Sequence, residues 1–455
     1  MKENYIVVGL GQTGLSCVKF LHRLGHPVCV VDTRLEPPTK AQFLQTYPNI
    51  PVFCNELPDL SHLKPFNIVL SPGIAPHHPL VEPLISAAAH KLSDISLFAQ
   101  HNRLPIIAIT GSNGKSTVTT LVGEMAKACG LRPAVVGNIG TPVLSILDAS
   151  VEGVGQQFNL VVMELSSFQL DITEGLKTKA ATVLNISPDH LDRYENLNAY
   201  ATSKHKIYEN TEYAIINRED ILSTPANITN TQICFSSVPP QTGDFGLVEE
   251  QGSTYLCYGE QRLLNVADMK LMGQHNYLNA LAALSLGHAF GLPLDGMLIA
   301  LRNFSGLPHR CEWVIEHSGI QWINDSKGTN IGASVAALIG LGERTKSQGK
   351  IVLLLGGQGK GQDFIEMIDP ITQYCRVVVT MGENGSALYE LLKPHINTLQ
   401  AKDMQQAVEL AKQTAAINDI VLLSPACASF DQYQNFEHRG KCFKAIVLES
   451  TQKVA

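Results

Sequence analysis

The chain has 455 residues, which at roughly 100–200 residues per domain points to about three domains, each long enough to bury its own core. Apolar residues make up 45% and charged residues 16%, against a usual charged share of about 25%, so the chain is globular and not disordered. The 34 basic and 41 acidic residues give a formal net charge of −7 with no long run of either sign, which excludes an electrostatic nucleic-acid footprint and argues against a membrane surface as partner.

Ten cysteines are scattered without a close CxxC pair, the pattern of reduced, mostly buried thiols. The run from Met1 to Asn4 passes straight into apolar Tyr5–Val8, too early for a signal peptide, and no apolar run reaches the length of a membrane span. A cytoplasmic location is the expectation.

Short β-branched runs alternate with amphipathic stretches, the pattern of βα units around parallel sheets. In the first block a strand at Tyr5–Val8, a helix to about Leu24 and a strand at Val28–Asp32 make one βαβ unit. Between strand and helix lies Gly9-x-Gly11-x-x-Gly14, whose glycines let the backbone approach a pyrophosphate while the helix N-terminus offers unpaired N–H groups. Asp32 ends the second strand, where a ribose or base contact is expected. The glycines would serve packing equally well, and the motif does not choose between NAD and another diphosphate. A Pro- and His-rich passage, Ser71–Pro79, then leads into a further helix.

The second block opens with a strand at Ile106–Ile109, continues with strands at Leu160–Met163, Ala181–Ile186 and Ala214–Ile216, and closes with a helix at Asn276–Phe290. The polar stretch Thr224–Gly259 reads as irregular or short antiparallel structure. Thr110-Gly111-Ser112-Asn113-Gly114-Lys115-Ser116-Thr117 follows the first of these strands and opens a helix, like a P-loop two residues shorter than the usual one. Lys115 is placed for β- and γ-phosphates and Ser116 or Thr117 for Mg²⁺. Glu164 and His190 each stand just beyond a strand, at the end of the sheet where ligands bind, and either could hold a metal ion. Lys204 reads locally as part of a solvated helix face. Asn276 and Asn279, three apart on one helical face, would either read a base edge or cap the helix.

A boundary near Gly306-Leu307-Pro308 opens the third block, with strands at Ile320–Ile323, Ile351–Leu355, Val377–Thr380 and Ile420–Leu423. Arg310 stands at the junction, within reach of a transferring phosphate. Three polar clusters end three of these strands: Asn324–Asn330, Gly356–Lys360 and Ser424–Asp431. Polar tips on one sheet converge on a crevice, so a shared binding site is expected.

In this order the motifs resemble the Mur ligases, the ATP-dependent amino-acid ligases of peptidoglycan synthesis, over all three blocks. The short loop Thr110–Thr117 is the form that family uses. The resemblance implies an α/β chain of three domains: a Rossmann-like domain over 1–100 for a UDP substrate, a central P-loop ATPase-like domain over 101–305 with a mainly parallel sheet, and a Rossmann-like domain over 306–455 for an amino acid. Asn324–Asn330, Gly356–Lys360 and Ser424–Phe436, with no Asp-Asn-Pro-Arg motif, most resemble the members that add D-glutamate to UDP-N-acetylmuramoyl-L-alanine.

By the same resemblance Gly9, Gly11, Gln12, Thr13, Gly14, Asp32, Thr33, Arg34, Gly73 and Asn138 would hold the UDP substrate. Gly111, Ser112, Asn113, Gly114, Lys115, Ser116, Thr117, Asn276, Asn279, Arg310 and Asp325 would hold ATP. Mg²⁺ would fall to Ser116, Thr117, Glu164, His190 and Lys204, the last as a lysine carbamylated by CO₂. Thr329, Lys360, Ser429, Phe430 and Phe436 would bind D-glutamate. Lys115, Glu164, His190, Lys204 and Arg310 form the expected catalytic set, in a chain acting as a monomer. Gln358, Phe430 and Ser96 depart from the Asp, Leu and Glu expected of the family. A nicotinamide dehydrogenase would leave Gly111–Thr117 without a role, a P-loop motor would leave Gly9–Gly14 without one, and folylpolyglutamate synthase shares the ATP loop but lacks a UDP-type first domain.

Overall fold

The computed structural model describes residues 2–60, 65–149, 158–190, 193–271, 273–345 and 349–452. Its strands form three sheets, drawn in turn from the first, middle and last parts of the chain. The first holds β1 (Asn4–Val8), β2 (Val28–Asp32), β3 (Val52–Cys54), β4 (Phe66–Leu70) and β5 (His90–Leu92). All are parallel, in the order β3-β2-β1-β4-β5. The order reverses direction beside β1, so the turn after β1, which carries Gly9–Gly14, stands at the crevice where such sheets bind ligands.

The second sheet holds β6 (Ile106–Thr110), β7 (Pro133–Gly137), β8 (Leu160–Glu164), β9 (Thr178–Val183), β10 (Thr211–Asn217), β11 (Thr231–Phe235), β12 (Phe245–Glu250), β13 (Ser253–Tyr258) and β14 (Gln261–Asn265). Their order is β14-β13-β12-β11-β10-β9-β6-β8-β7. Only the β12–β13–β14 meander is antiparallel, so the polar stretch after Thr224 holds a parallel strand followed by short antiparallel ones. The parallel strands are buried end to end, IIAIT in β6 and LVVME in β8, as expected of a sheet covered on both faces. The helix Gln274–Phe290 is apolar nearly all round and lies in the interior against β9 and the helix Lys115–Ala128, which is what that composition requires.

Residues 184–186 do not extend β9, against expectation. They turn beneath the glycine loop instead: Ser112 N–H donates to the Asn185 carbonyl at 2.8 Å, and Asn113 N–H to Asn185 Oδ1 at 2.8 Å. Backbone that would have continued the ladder is used to support the loop.

The third sheet holds β15 (Glu312–His317), β16 (Ile320–Asn324), β17 (Ile351–Gly356), β18 (Cys375–Met381), β19 (Thr398–Gln400) and β20 (Ile420–Leu423), in the order β15-β16-β20-β17-β18-β19 with β15 antiparallel. β16, β20 and β17 are direct neighbours, which brings the three polar clusters together. Among the described residues no helix is long and apolar enough to cross a membrane.

Candidate active site

The turn after β6 is wound by Gly111 and Gly114, at φ 146° and 81°. A Cβ at Gly114 would stand 2.5 Å from Asn279 Oδ1, so Asn279 rests on the loop because residue 114 has no side chain. The helix Lys115–Ala128 begins with no side-chain cap and no acidic residue in its first turn, leaving N–H groups for an anion. Lys115 Nζ donates to the carbonyls of Gly111 and Ser112 at 2.8 and 2.9 Å. Burial, reinforced by the Arg310 cation, lowers its pKa.

Glu164 ends β8, beside β6, and is 1% exposed. One carboxylate oxygen accepts from Asn138 Nδ2 at 2.8 Å, while Oε2 is buried without a partner among the described residues. An unpaired buried carboxylate oxygen is costly unless a cation supplies the missing interaction. Lys204 is also 1% exposed and is no solvated helix residue. Its Nζ donates to the Gly111 carbonyl at 3.0 Å and, at 3.4 Å, to Thr110 Oγ1, and lies 4.6 Å from the Tyr200 ring centre. Burial and then the Lys115 cation push its pKa well below that of an ordinary lysine.

His190 sits at φ 55° with its ring edge-on to Phe168, centroids 4.8 Å apart. Its Nε2 is 3.7 Å from Asp189 Oδ2. Leu191 and Asp192 lie outside the described residues. Arg310 reaches back from the third block to donate to Ser116 Oγ at 2.9 Å. Among the described residues no three His, Cys, Asp or Glu cluster as a metal cage. One carboxylate with a single unpartnered oxygen, in the same cavity lining as the Ser116 hydroxyl, fits Mg²⁺, which commonly takes one or two carboxylates together with substrate phosphates.

Two cavities meet at Asn113, Gly114 and Arg310. One is lined by Thr117, Asn276, Asn279 and Asp325. The other, of ≈ 500 Å³, is lined by Ser112, Lys115, Ser116, Glu164, His190 and Lys204 from the second block and by Thr329, Lys360, Ser429, Phe430 and Phe436 from the third, with Gly73 and Asn138 also in its lining. The polar strand tips therefore converge as expected. Asp325 accepts from Ser424 Oγ at 2.7 Å and from Cys311 N–H at 3.2 Å. Burial raises its pKa to about 6.

Gly9–Gly14 and Asp32–Arg34 are not part of that wall. Packing alone accounts for two of the glycines, since a Cβ at Gly14 would stand 1.8 Å from the Gly9 carbonyl and one at Gly9 2.8 Å from Ser71 Oγ. Gly11 faces open space, where backbone can meet a ligand. Asp32 is fully buried and accepts from Leu10 N–H at 2.6 Å, Arg34 N–H at 2.9 Å and the Arg34 guanidinium at 2.8 and 2.9 Å. Burial raises its pKa, but these hydrogen bonds outweigh it and hold the carboxyl below the usual range.

Three residues of the cleft, and one that supports it from behind, escape local reading. Lys327 lies over the Phe436 ring at 3.9 Å, and burial lowers its pKa to about 8. Asp189 and Asn330 meet across the cleft. Arg439 is 1% exposed and donates to the carbonyls of Ser326, Cys427 and Ala428 at 2.8, 3.1 and 3.3 Å. It thereby ties together the loops that carry Thr329 and Ser429. The available signals were the placement of Lys327 and Asn330 inside the Asn324–Asn330 cluster and of Asp189 next to His190. Of the departures, Gln358 pairs with Ala428 through its backbone, two bonds of 2.9 Å, which any side chain permits. Ser96 Oγ accepts from Glu174 N–H at 3.1 Å, joining the first block to the second, and Phe430 is 68% exposed.

Three family models match along the chain: a Mur ligase MurD-like N-terminal domain over 3–92, a Mur ligase middle domain over 109–287 and a Mur ligase glutamate ligase domain over 309–427. UDP-N-acetylmuramoylalanine–D-glutamate ligase of Legionella pneumophila (strain Paris) is 45% identical over 446 residues, 97% of this chain and 98% of the relative. The chain belongs to the Mur ligase family. The equally named enzyme of Pseudomonas fluorescens (strain Pf-5) is 48% identical over 451 residues, covering 98% of this Mur ligase and 97% of the relative. The fold also matches the UDP-N-acetylmuramate-alanine ligase of Thermotoga maritima, at TM-score 0.61 and 20% identity over 98% of this chain and 99% of that one. A Yersinia pestis folylpolyglutamate synthase/dihydrofolate synthase shares it at TM-score 0.57 and 17% identity, covering 82% of this chain and 99% of that one.

Proposed function

We propose that this Mur ligase uses ATP to join D-glutamate to the alanine carboxyl of UDP-N-acetylmuramoyl-L-alanine. One observation carries the reading: a single cleft faces the phosphate loop with Thr329, Lys360 and Ser429, in a chain similar over nearly its whole length to ligases named for D-glutamate. Because Gly9–Gly14 lies outside the cleft lining while Gly73 and Asn138 lie in it, the substrate would be a long one whose nucleotide lies by Gly11 and Arg34. Its sugar would pass Gly73 and Asn138, and its alanine carboxylate would reach Lys115.

A carboxylate oxygen attacks the γ-phosphorus of ATP and ADP departs, leaving an acyl phosphate. The neutral amine of D-glutamate then adds to the acyl carbon, loses a proton, and inorganic phosphate leaves. Lys115 and Arg310 face the phosphoryl group in flight, so their contribution is charge neutralisation and alignment. Asn276, Asn279 and Asp325 line the neighbouring cavity for the nucleoside of ATP. Glu164, His190, carbamylated Lys204, Ser116 and Thr117 would hold Mg²⁺, which when bound supplies further neutralisation of phosphate charge. A buried amine with a lowered pKa is the neutral nucleophile that CO₂ requires.

On the amino-acid wall, the Lys360 ammonium with the Thr329 and Ser429 hydroxyls suits two carboxylates. An amino acid without the side-chain carboxylate would leave donors unpaired, at about 1–3 kcal/mol each. We further assign residues 1–100, 101–305 and 306–455 as the three domains, and a monomer working in the cytoplasm without nucleic acid or membrane. Phosphate release from ATP, measured with the UDP substrate and a panel of amino acids, tests the reading. D-glutamate should be turned over, and D-alanine, L-glutamate and meso-diaminopimelate hardly at all. Preference for another amino acid would overturn the choice of D-glutamate.

A further inference from the structure

Asn330 follows Thr329 directly, caps the helix Ile331–Thr345, and is 3% exposed. Its two side-chain atoms are committed differently. Oδ1 accepts from Ala333 N–H at 2.9 Å, the bond of an N-cap. Since a backbone N–H can only donate, that bond fixes which end of the amide is oxygen and turns Nδ2 toward the second block. There Nδ2 lies 3.3 Å from Asn113 Oδ1 in the phosphate loop and 3.3 Å from Asp189 Oδ2 beside His190. Asn113 is itself tied to Ser187 Oγ through its Nδ2 at 3.2 Å, and Asp189 Oδ1 accepts from His190 N–H at 2.9 Å. Gly332, two residues on, lets the helix end come close: a Cβ there would be 3.3 Å from Ser187 Oγ and 3.5 Å from Asn113 Nδ2.

We propose that Asn330 is a positioning residue that keys the amino-acid wall of the cleft to the phosphate loop and to the His190 loop through one amide. It deepens, and rests on, the ligase reading given above. Seating an amino acid at Thr329 then sets the loop that holds ATP, because the next residue in the chain bridges to it. The amine and the acyl phosphate must meet at near-attack distance, and both walls that hold them are referenced to this group.

Asn330→Asp separates the two jobs of the side chain. An aspartate caps as well as asparagine, but it donates nothing and sets a second carboxylate against Asp189. The expected result is a kcat lowered roughly ten- to hundredfold, with D-glutamate KM raised and KM for the UDP substrate little changed. Because the cap is kept and only the Asp189 contact turns repulsive, Tm should fall by no more than about 2–4 °C, and the Asp189→Asn background should restore it. In an Asp189→Asn background the donor and acceptor at that contact are exchanged, and Asn113 can turn its amide over to donate, because its partner Ser187 is a hydroxyl that can donate in return. There Asn330→Asp should cost at most about threefold, a non-additivity expected only of groups in contact. Amide hydrogen exchange on the full chain without substrates reads the same link independently of activity. Asn330→Asp should speed exchange over 111–117 and 185–190, and the double variant should slow it again. Equal losses in both backgrounds, or unchanged exchange in Asn330→Asp, would overturn the key. Absence of product from the wild type with any amino acid, alongside this exchange pattern across the variants, would overturn the ligase reading and leave the key standing.

Discussion

Gly9–Gly14 and Gly111–Thr117 each follow a buried parallel strand and open a helix whose first turn carries no acidic side chain. Their surroundings differ. The first loop is held from within its own sheet, by Asp32 accepting from Leu10 N–H, and nothing in it supplies a cation. The second carries Lys115 and touches the third block twice, through Arg310 on Ser116 and Asn330 on Asn113. A loop that only anchors a nucleotide needs backbone and a fixed shape. A loop that must hand over a phosphoryl group also needs positive charge and a reference to the acceptor. On the proposed reading the same local geometry serves binding in one place and transfer in the other, and what faces it decides which.

The largest effect that would sharpen this comparison is expected at Lys204. Arginine keeps a charge at every accessible pH and cannot form a carbamate, and its bulk must fit where the side chain is 1% exposed. Lys204→Arg should lose at least about a thousandfold in kcat, the scale of a lost charge-stabilising group in a dry site. Turnover above a tenth of wild type would remove Lys204 from the metal set.

Lys115→Ala comes next, with kcat lowered by about a hundred- to a thousandfold. Calorimetric titration should show UDP-substrate affinity nearly unchanged, because that nucleotide is assigned to the other loop. A large loss of UDP-substrate affinity would break the comparison by making the two loops one site.

Lys360→Ala tests the wall opposite. D-glutamate KM should rise by about ten- to a hundredfold, the worth of one charge-assisted hydrogen bond, while KM for ATP moves far less. Parallel rises in both would place Lys360 on ATP.

Both loops were legible in the sequence because their signals are local: glycines at fixed spacing between an apolar run and a helix. So was the convergence of Asn324–Asn330, Gly356–Lys360 and Ser424–Asp431, since parallel strands present their ends on one side. Roles set by distant partners were not. Asn330 and Asn113 are 217 positions apart, and nothing near either names the other. Lys204 and Arg439 sit on helices where charge normally marks solvent, and only the packing of β6, β9 and the strand-end loops shows them buried. The end of β9 was misplaced because apolar Leu184 and Ile186 continue the strand pattern, while their backbone follows the phosphate loop.

The smallest expected effect belongs to the first loop, at Asp32. Its carboxyl binds a proton less tightly folded than unfolded, so the ion pair and N–H bonds stabilise the fold above the ordinary carboxylate pKa of about 4. That contribution is lost as pH falls through the lowered folded value. Asp32→Asn can still accept from Leu10 N–H but gives up the Arg34 pair, so it should lower Tm at pH 7 by about 2–4 °C. The gap from wild type should narrow as pH falls below about 4, where the unfolded carboxyl takes up a proton that the folded one resists. UDP-substrate affinity should fall about tenfold, the loss of roughly one hydrogen bond to a charged group, because Arg34 and the Leu10–Gly11 backbone would no longer be held in place. With UDP substrate saturating, kcat should remain near wild type. A kcat loss comparable to that of Lys115→Ala would mean that the first loop takes part in transfer, and the division of labour between the two loops would fail.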